Sequence, residues 1–146
     1  MSENTFVMRL ISPNDYNFGF FEILSQLTTV IKPDYNAFVE YLNMIPNNTQ
    51  TYVIENTKNR QIVGTGRILI EHKFIHNLAI KCYIEDVVID EKYRNMGLGK
   101  QLIDFLTNQC ILLNPYKISL VCNENKIQFY EKCGFKKSGL HMTKYI

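Results

Sequence analysis

The stretch that decides the fold runs from Tyr83 to Leu106, YIEDVVIDEKYRNMGLGKQLIDFL. Its first half has the composition of a β-strand, since it is rich in β-branched residues and is followed by the turn-like DEKYRN. Its second half has the periodicity of an amphipathic helix. The apolar helix positions are Leu98, Leu102, Ile103, Phe105 and Leu106. The sequence therefore predicts a strand that leads through a glycine-containing turn into a helix.

The turn itself, Arg94-Asn95-Met96-Gly97-Leu98-Gly99, has the features of an anion-binding site. The first amides of a helix have no internal partner and lie at the positive end of the helix dipole. The two glycines lack a Cβ and let a ligand approach the backbone, and Arg94 and Lys100 add positive charge. The pattern favours a phosphate or pyrophosphate. The alternative is an ordinary connection with two glycines, and neither GxGxxG nor a Walker A sequence is present.

Length and composition indicate one soluble globular domain over residues 1–146. The chain is 46% hydrophobic and 21% charged, with a net charge of +2. This charge indicates no nucleic-acid or membrane partner. The N-terminal MSENTFVMRL lacks the pattern of a signal peptide, so we expect a cytoplasmic protein.

The cysteines and histidines do not show the spacing of a metal site or of a redox motif. The four cysteines lie in apolar segments, where we expect them to be buried thiols in a reducing compartment. They are Cys82, Cys110, Cys122 and Cys133. No metal is expected, because His72, His76 and His141 do not pair with them.

The rest of the chain supplies alternating strands and helices. Further strands are predicted at 5–11, 50–56, 61–71, 116–122 and 140–146, and helices at 16–27, from Pro33 to Leu42 and at 124–133. Gly64 and Gly66 indicate a bulge or a close backbone approach. The order β-α-α-β-β-β-α-β-α-β predicts an α/β fold whose mixed sheet has helices on both faces. The strands on either side of the long helix should be parallel.

Four segments resemble a known family when they are taken in order: IEDVVID, YRNMGLGKQLIDFL, YKISLVC and ENKIQFYEKCGF. They are similar to the glucosamine-6-phosphate N-acetyltransferases of the GNAT N-acetyltransferase superfamily. LTTV at 27–30 and EHKFIH at 71–76 resemble further segments of that family. The resemblance implies a GNAT fold, acetyl-CoA as cosubstrate, an amino-sugar phosphate as acceptor and a homodimer.

The same resemblance implies a direct transfer in which Tyr130 protonates the leaving thiolate and Glu85 acts as base through a water. Asp86 would position the acceptor. Adjacent residues of a regular strand point to opposite faces, so the two acids should diverge. The alternatives are a core aromatic role for Tyr130 and, for the acids, solvation or an ion pair with Lys81 or Lys117.

The binding residues implied by the resemblance fall into two sets. The coenzyme set comprises the strand backbone of Val87, Val88 and Ile89, the turn residues Arg94, Asn95, Met96, Gly97, Leu98, Gly99 and Lys100, and Asn125, Tyr130 and Lys132. The acceptor set comprises Thr28, Lys73, Phe74, Ile75, His76, Glu85, Asp86, Tyr116 and Lys117. Taken singly, most of these would be interpreted as ordinary surface residues.

Three positions depart from the family pattern. Asn95 replaces the first glycine of the turn, and Asn tolerates positive φ better than most residues. Val121 stands where the family has an acidic residue, and Tyr145, next to Lys144, stands where some members have a basic one. Two alternatives therefore remain: acetylation of another primary amine, such as a polyamine or a protein, and a non-catalytic acyl-CoA sensor. A cationic pocket near Lys73, His76 and Lys117 would favour the sugar phosphate.

Overall fold

The computed structural model describes residues 5–146, which contain a five-stranded sheet whose spatial order follows the chain. The strands are β1 (Phe6–Leu10), β2 (Thr49–Asn56), β3 (Ile62–His72), β4 (Ile80–Ile89) and β5 (Lys117–Leu120). Neighbours are antiparallel from β1 to β4, whereas β4 and β5 are parallel. The predicted mixed sheet and its parallel pair are confirmed.

Helices cover both faces of the sheet, as predicted. They are α1 (Phe20–Leu24), α2 (Tyr35–Met44), α3 (Ile75–Leu78), α4 (Leu98–Ile111) and α5 (Ile127–Lys132). On one face, Leu98, Leu102, Ile103 and Leu106 of α4 are at most 3% exposed and join the larger core cluster. On the other face, α1 and α2 form a second cluster around Phe20, Ile23 and Phe38 with β2 and β3. Full burial of each such side chain contributes about 1.5–3 kcal/mol.

A β-bulge interrupts the pairing of β3 with β4 beside Gly66. Glu85 pairs with Arg67 and Val88 pairs with Thr65, so two residues of β4 lie opposite Gly66 alone. A Cβ on Gly66 would come within 2.7 Å of Leu106 Cδ1. The prediction of a bulge and a close approach is therefore confirmed at Gly66.

A buried ionic network joins β1 to the turn that follows it. Asp15 is 1% exposed, and its carboxylate accepts hydrogen bonds from both terminal nitrogens of Arg9, at 2.7 and 2.9 Å, and from the amide of Ser12. Arg9 also donates to Glu55 on β2. The hydrogen bonds to Asp15 and Glu55 raise the pKa of Arg9, so its guanidinium stays charged.

The helix predicted at 16–27 is wrong in its extent. Gly19 adopts φ +96°, which separates a 3-10 turn (Pro13–Asn17) from the five-residue α1. The next helix begins at Tyr35 rather than at Pro33, because the Asp34 side chain caps it by accepting from the amide of Ala37 at 2.9 Å. Helix α5 begins at Ile127, after a 3-10 turn (Glu124–Lys126).

The strand predicted at 140–146 is also wrong, and β5 ends at Leu120 instead of Cys122. Leu140, Met142, Tyr145 and Ile146 are all more than 90% exposed. An apolar segment with no neighbouring strand cannot pair its backbone, so the alternation alone does not make it a strand. Residues 136–146 are called the C-terminal arm below.

Two of the four cysteines are fully buried. Cys82 and Cys110 face each other inside the larger cluster, Cys133 is half-buried, and Cys122 is exposed, against expectation. Across residues 5–146, no three His, Cys, Asp or Glu side chains are grouped so as to hold a metal ion. No helix in that range has the length and apolar character needed to cross a bilayer.

Candidate active site

The free edge of β4 is the first element of the site. β5 pairs with β4 only from Lys81 to Ile84 in the described chain. Beyond that point, β4 continues to Ile89 with β3 on one side, and its other side is open. Unpaired N–H and C=O groups on an open edge can pair with an extended ligand. This edge contains Val87, Val88 and Ile89, the predicted pantetheine-binding stretch.

The turn between β4 and α4 is the second element. Asn95 and Gly97 have positive φ values of 63° and 81°, so Asn95 does adopt the conformation expected of it. The helix ladder begins with the amide of Gln101 bonded to the carbonyl of Gly97. The amides of residues 98–100 consequently have no acceptor one helical turn earlier. A Cβ on Gly97 would meet only Gln101 Nε2, at 3.8 Å, which leaves room for an anion.

The two cations of the turn are held by neighbours. Arg94 donates from Nε to the carbonyl of Ile89 at 2.9 Å and reaches Gln26, so it fastens the turn to the end of β4. Lys100 donates to Asp104 at 2.6 Å, which raises the pKa of Lys100. The side chain of Met96 is exposed and that of Leu98 is in the core, so Leu98 offers only its backbone.

Tyr130 lies on α5, which packs against the same turn. A Cβ on Gly99 would be 3.4 Å from Cζ of Phe129, and the Phe129 ring meets Tyr130 edge-on with centroids 5.0 Å apart. Tyr130 is half-buried. Burial raises the pKa of Tyr130, with smaller contributions from Cys122 and Cys133. Its hydroxyl thus stays protonated at neutral pH and can act as a proton donor.

The two adjacent acids lie at the bulge. Glu85 is half-buried and is the ladder partner of Arg67. Asp86 is exposed and has φ +52°, which breaks the regular alternation that predicted opposite faces. Its Oδ2 lies 3.1 Å from a terminal nitrogen of Arg67. The alternative ion pairs are therefore wrong, because within residues 5–146 neither Glu85 nor Asp86 forms a salt bridge with Lys81 or Lys117.

Sequence reasoning missed Arg67. An arginine inside a strand has no local signal, and its proximity to the acids follows only from the register of β3 and β4. Lys81, which was considered instead, donates to the Tyr83 hydroxyl at 2.5 Å and lies 3.9 Å from the centroid of that ring.

The predicted phosphate-binding residues form a separate cluster at the start of β4 and β5. The His76 ring stacks on Tyr116 with centroids 4.4 Å apart, and Lys117 Nζ lies 5.4 Å from the Tyr116 ring. Lys73 donates to Glu71 at 3.0 Å, and this bond raises the pKa of Lys73. In α3, residues 76–78 have positive φ, and Phe74 and Ile75 are exposed. We call Lys73, His76, Tyr116 and Lys117 the basic cluster.

Within one chain, the basic cluster is distant from the two acids, Glu85 and Asp86. Lys117 pairs with Lys81, and Glu85 lies four residues further along β4, which corresponds to about 13 Å. Thr28 is exposed in the turn after α1, where its amide bonds to Leu24. Asn125 and Lys132 are exposed on the segment that contains Tyr130. The structure thus brings α5 to the glycine turn through Phe129, the neighbour of Tyr130, but does not gather the acceptor set into one pocket.

A groove of about 820 Å³ opens between the α1–α2 layer and the sheet and reaches the bulge. Its walls are mostly apolar and include Phe20, Phe38 and Leu42, while Arg67 and Asp86 lie at its sheet side. The groove therefore connects solvent with the residues around Glu85.

The comparisons with known proteins agree with this geometry. The sequence profile of the Acetyltransferase (GNAT) family matches residues 18–135. A glucosamine 6-phosphate N-acetyltransferase of Arabidopsis thaliana is 37% identical over 146 positions, covering 97% of each chain. One from Dictyostelium discoideum is 36% identical and covers 94% of this chain and 89% of its own.

The comparison with solved structures indicates the same family. The crystal structure of the Arabidopsis thaliana enzyme matches with a TM-score of 0.88 at 34% identity, over 97% of this chain and 99% of that one. The fold and the site define an acetyltransferase with an open fourth strand and a glycine turn. The chain belongs to the GNAT acetyltransferase family. The resemblance to its glucosamine 6-phosphate branch is confirmed by these relatives.

Proposed function

We propose that this protein transfers the acetyl group of acetyl-CoA to the amine of D-glucosamine 6-phosphate. The products are N-acetylglucosamine 6-phosphate and CoA, and the product serves UDP-N-acetylglucosamine biosynthesis. The observation that carries the proposal is the open edge of β4 running directly into the positive-φ turn at the N-terminus of α4. The acceptor follows from the relatives named above, which match nearly the whole chain.

The coenzyme would bind along this edge and this turn. The backbone of Val87, Val88 and Ile89 would pair with the pantetheine arm. The amides of residues 95–100 would hold the diphosphate, which suits a helix N-terminus. Arg94 shapes the turn, while Lys100, Asn125 and Lys132 are placed to add polar contacts at its rim. Bound acetyl-CoA supplies the activated acetyl group.

Two side chains would move the protons of a direct transfer. Glu85 takes a proton from the acceptor amine through a water, and the amine nitrogen bonds to the carbonyl carbon as the carbon–sulfur bond breaks. Tyr130 donates its proton to the leaving sulfur. Proton transfer by a placed group contributes roughly 10²–10⁴ in rate. No acyl-enzyme is involved, so kinetics should show a ternary complex.

The sugar phosphate requires cations, and the basic cluster supplies them. Because about 13 Å of β4 separates this cluster from Glu85, we assign the phosphate to the cluster of a second subunit in a homodimer. The exposed apolar residues of the C-terminal arm support this assembly, since large apolar side chains exposed together commonly mark an interface. Thr28 and Asp86 would contact the sugar.

We also propose that residues 1–146 act as one cytoplasmic catalytic domain without a nucleic-acid or membrane partner. The net charge of +2 supports this proposal, as does the continuity of the two core clusters across a single sheet.

The experiment measures release of free CoA thiol from acetyl-CoA with glucosamine 6-phosphate, glucosamine, a polyamine and a peptide N-terminus as acceptors. Turnover with glucosamine 6-phosphate and much weaker turnover with glucosamine would support the proposal. Preference for the polyamine or the peptide would replace the acceptor. Coenzyme binding without turnover on any amine would indicate the sensor.

A further inference from the structure

The arginine at the bulge has no role in the reaction proposed above. Arg67 lies on β3 as the ladder partner of Glu85, and its guanidinium pairs with Asp86 at 3.1 Å. Both Arg67 and Asp86 line the groove between the α1–α2 layer and the sheet. The guanidinium thus pairs with one acid of the candidate active site, Asp86, while the other, Glu85, is the ladder neighbour of Arg67.

The direction of the Arg67 side chain follows from the ladder. Directly paired residues of neighbouring strands point to the same face. The next pair, Ile68 and Ile84, is buried in the cluster under α4. Arg67 and Glu85 therefore point to the opposite face, where the groove lies.

The guanidinium is held in place with hydrogen-bonding capacity left over. Its Nε is buried and has no partner among the described residues, which is unfavourable in a folded protein. A guanidinium has five N–H donors, and the contact with Asp86 uses one terminal nitrogen. The side chain of Arg67 is 37% exposed, so further N–H groups can reach a ligand oxygen in the groove.

The position across β4 from Arg67 is occupied by an apolar side chain. Leu120 pairs with Ile84, and the next residue on the β5 side is Val121, which is 57% exposed and cannot form a side-chain hydrogen bond. Val121 stands where the resembled family has an acidic residue. A sugar hydroxyl can both donate and accept a hydrogen bond. Arg67, a donor on the β3 side of Glu85, can therefore replace the acidic acceptor that the resembled family has at the position of Val121.

We propose that Arg67 binds the acceptor in this protein: it holds the Asp86 carboxylate and donates a hydrogen bond to a hydroxyl oxygen of the amino sugar. This inference rests on the proposed function. Arg67 fixes the orientation of the sugar ring beside Glu85, and the contact takes the place of the one that Val121 cannot make.

The test compares steady-state constants for R67Q, R67K, D86N and the double variant R67Q/D86N. A charge-assisted hydrogen bond lost to the acceptor corresponds to about 10- to 100-fold. R67Q should raise the KM for glucosamine 6-phosphate by that factor and leave the KM for acetyl-CoA within about twofold. R67K, which keeps the charge, should recover part of the loss. R67Q and D86N should be non-additive, because the two side chains form one unit.

The control variant is K58Q, which removes one positive charge from the exposed β2–β3 turn, away from the groove. It should change neither KM. An R67Q enzyme with wild-type acceptor KM would overturn the inference and leave the proposed function intact. An R67Q enzyme with a lower melting temperature and a higher KM for both substrates would also overturn it, since that pattern indicates a structural role. A wild-type enzyme inactive on glucosamine 6-phosphate would overturn the proposed function first.

Discussion

Gly99 and Phe129 are packed so closely that a single methyl group on Gly99 would lie 3.4 Å from the ring of Phe129. Gly99 belongs to the turn proposed to hold the diphosphate, and Phe129 is the residue before Tyr130. This contact therefore ties the position of the proposed proton donor, Tyr130, to the turn proposed to bind the coenzyme.

Replacing Tyr130 with phenylalanine should lower kcat by about 10²–10⁴ because the proton donor to the leaving sulfur is lost. The ring stays in place between Phe129 and Phe135, so the melting temperature should change little. Since burial raises the pKa of Tyr130, its hydroxyl remains protonated past the usual value of 10. The loss of rate caused by deprotonation of this group should consequently appear at a higher pH than an ordinary tyrosine would give, which a profile of rate against pH measures. Tyr35→Phe, on α2, is the control, and equal turnover in both variants would exclude Tyr130 from the mechanism.

Gly97→Ala should weaken coenzyme binding, because a Cβ at φ +81° occupies the space beside the turn. Loss of one hydrogen bond between the turn and the coenzyme corresponds to about a tenfold rise in the acetyl-CoA KM. Gly19→Ala is the matched control, since Gly19 is also a left-handed glycine directly before a helix, α1, outside the turn between β4 and α4. Both variants should lose about 1–2 kcal/mol of stability through backbone strain. If both raised the KM equally, strain rather than the ligand would explain the effect.

Asp15→Asn should reduce the free energy of unfolding by about 3 kcal/mol, because it leaves Arg9 partly unpaired at a buried site. Denaturant unfolding at pH 7 measures this change. The exposed pair of Glu22 with Lys32 gives the comparison, and Glu22→Gln should change stability by at most about 1 kcal/mol. Similar effects of the two substitutions would show that burial of Asp15 contributes little.

Alkaline pH should destabilise the fold through the buried thiols. Burial and the neighbouring Cys82 raise the pKa of Cys110 from 9.0 to about 12. Above pH 9 the folded state keeps the thiol proton while the unfolded state loses it. The contribution of Cys110 to stability is therefore fully present below pH 9. It falls between pH 9 and about 12, by about 1.4 kcal/mol per unit at most. Denaturation from pH 8 to 11 should show a shallower decline in Cys110→Ala. Cys122→Ala, at an exposed position, should keep the wild-type slope.

Subunit complementation tests the shared site. A mixture of Tyr130→Phe and Lys117→Glu subunits, each nearly inactive alone, should regain about a quarter of wild-type activity. Random pairing in a two-fold dimer yields heterodimers with one intact composite site. No recovery after exchange of subunits would place the basic cluster and Glu85 in the same chain's site.

Much of the fold was predictable because its signals are local. The β-branched run before the turn is sufficient to predict β4. The four-residue spacing of Leu98, Leu102 and Leu106 is sufficient to predict α4. The positive φ of Asn95 also followed from residue type. The break at Gly19 could not be predicted, since its apolar neighbours keep helical spacing on both sides of it.

The site was less predictable because it depends on pairing between distant segments. The contact of Arg67 with Asp86 requires the register of two strands and a bulge, neither of which is visible in the spacing of residues. The C-terminal arm has the alternation of a strand, but a strand also needs a neighbour to pair with. Sequence patterns describe the faces of an element, whereas partners are decided by the rest of the fold.

Binding of CoA at the turn is the most direct test of the account. Isotope-labelled protein titrated with CoA should show amide shifts concentrated at residues 95–100 and at Val87, Val88 and Ile89. The same titration of Gly97→Ala should need a higher CoA concentration for saturation. Saturable binding of CoA with no shift at the turn or at the edge of β4 would contradict the assignment of the coenzyme site and the mechanism built on it.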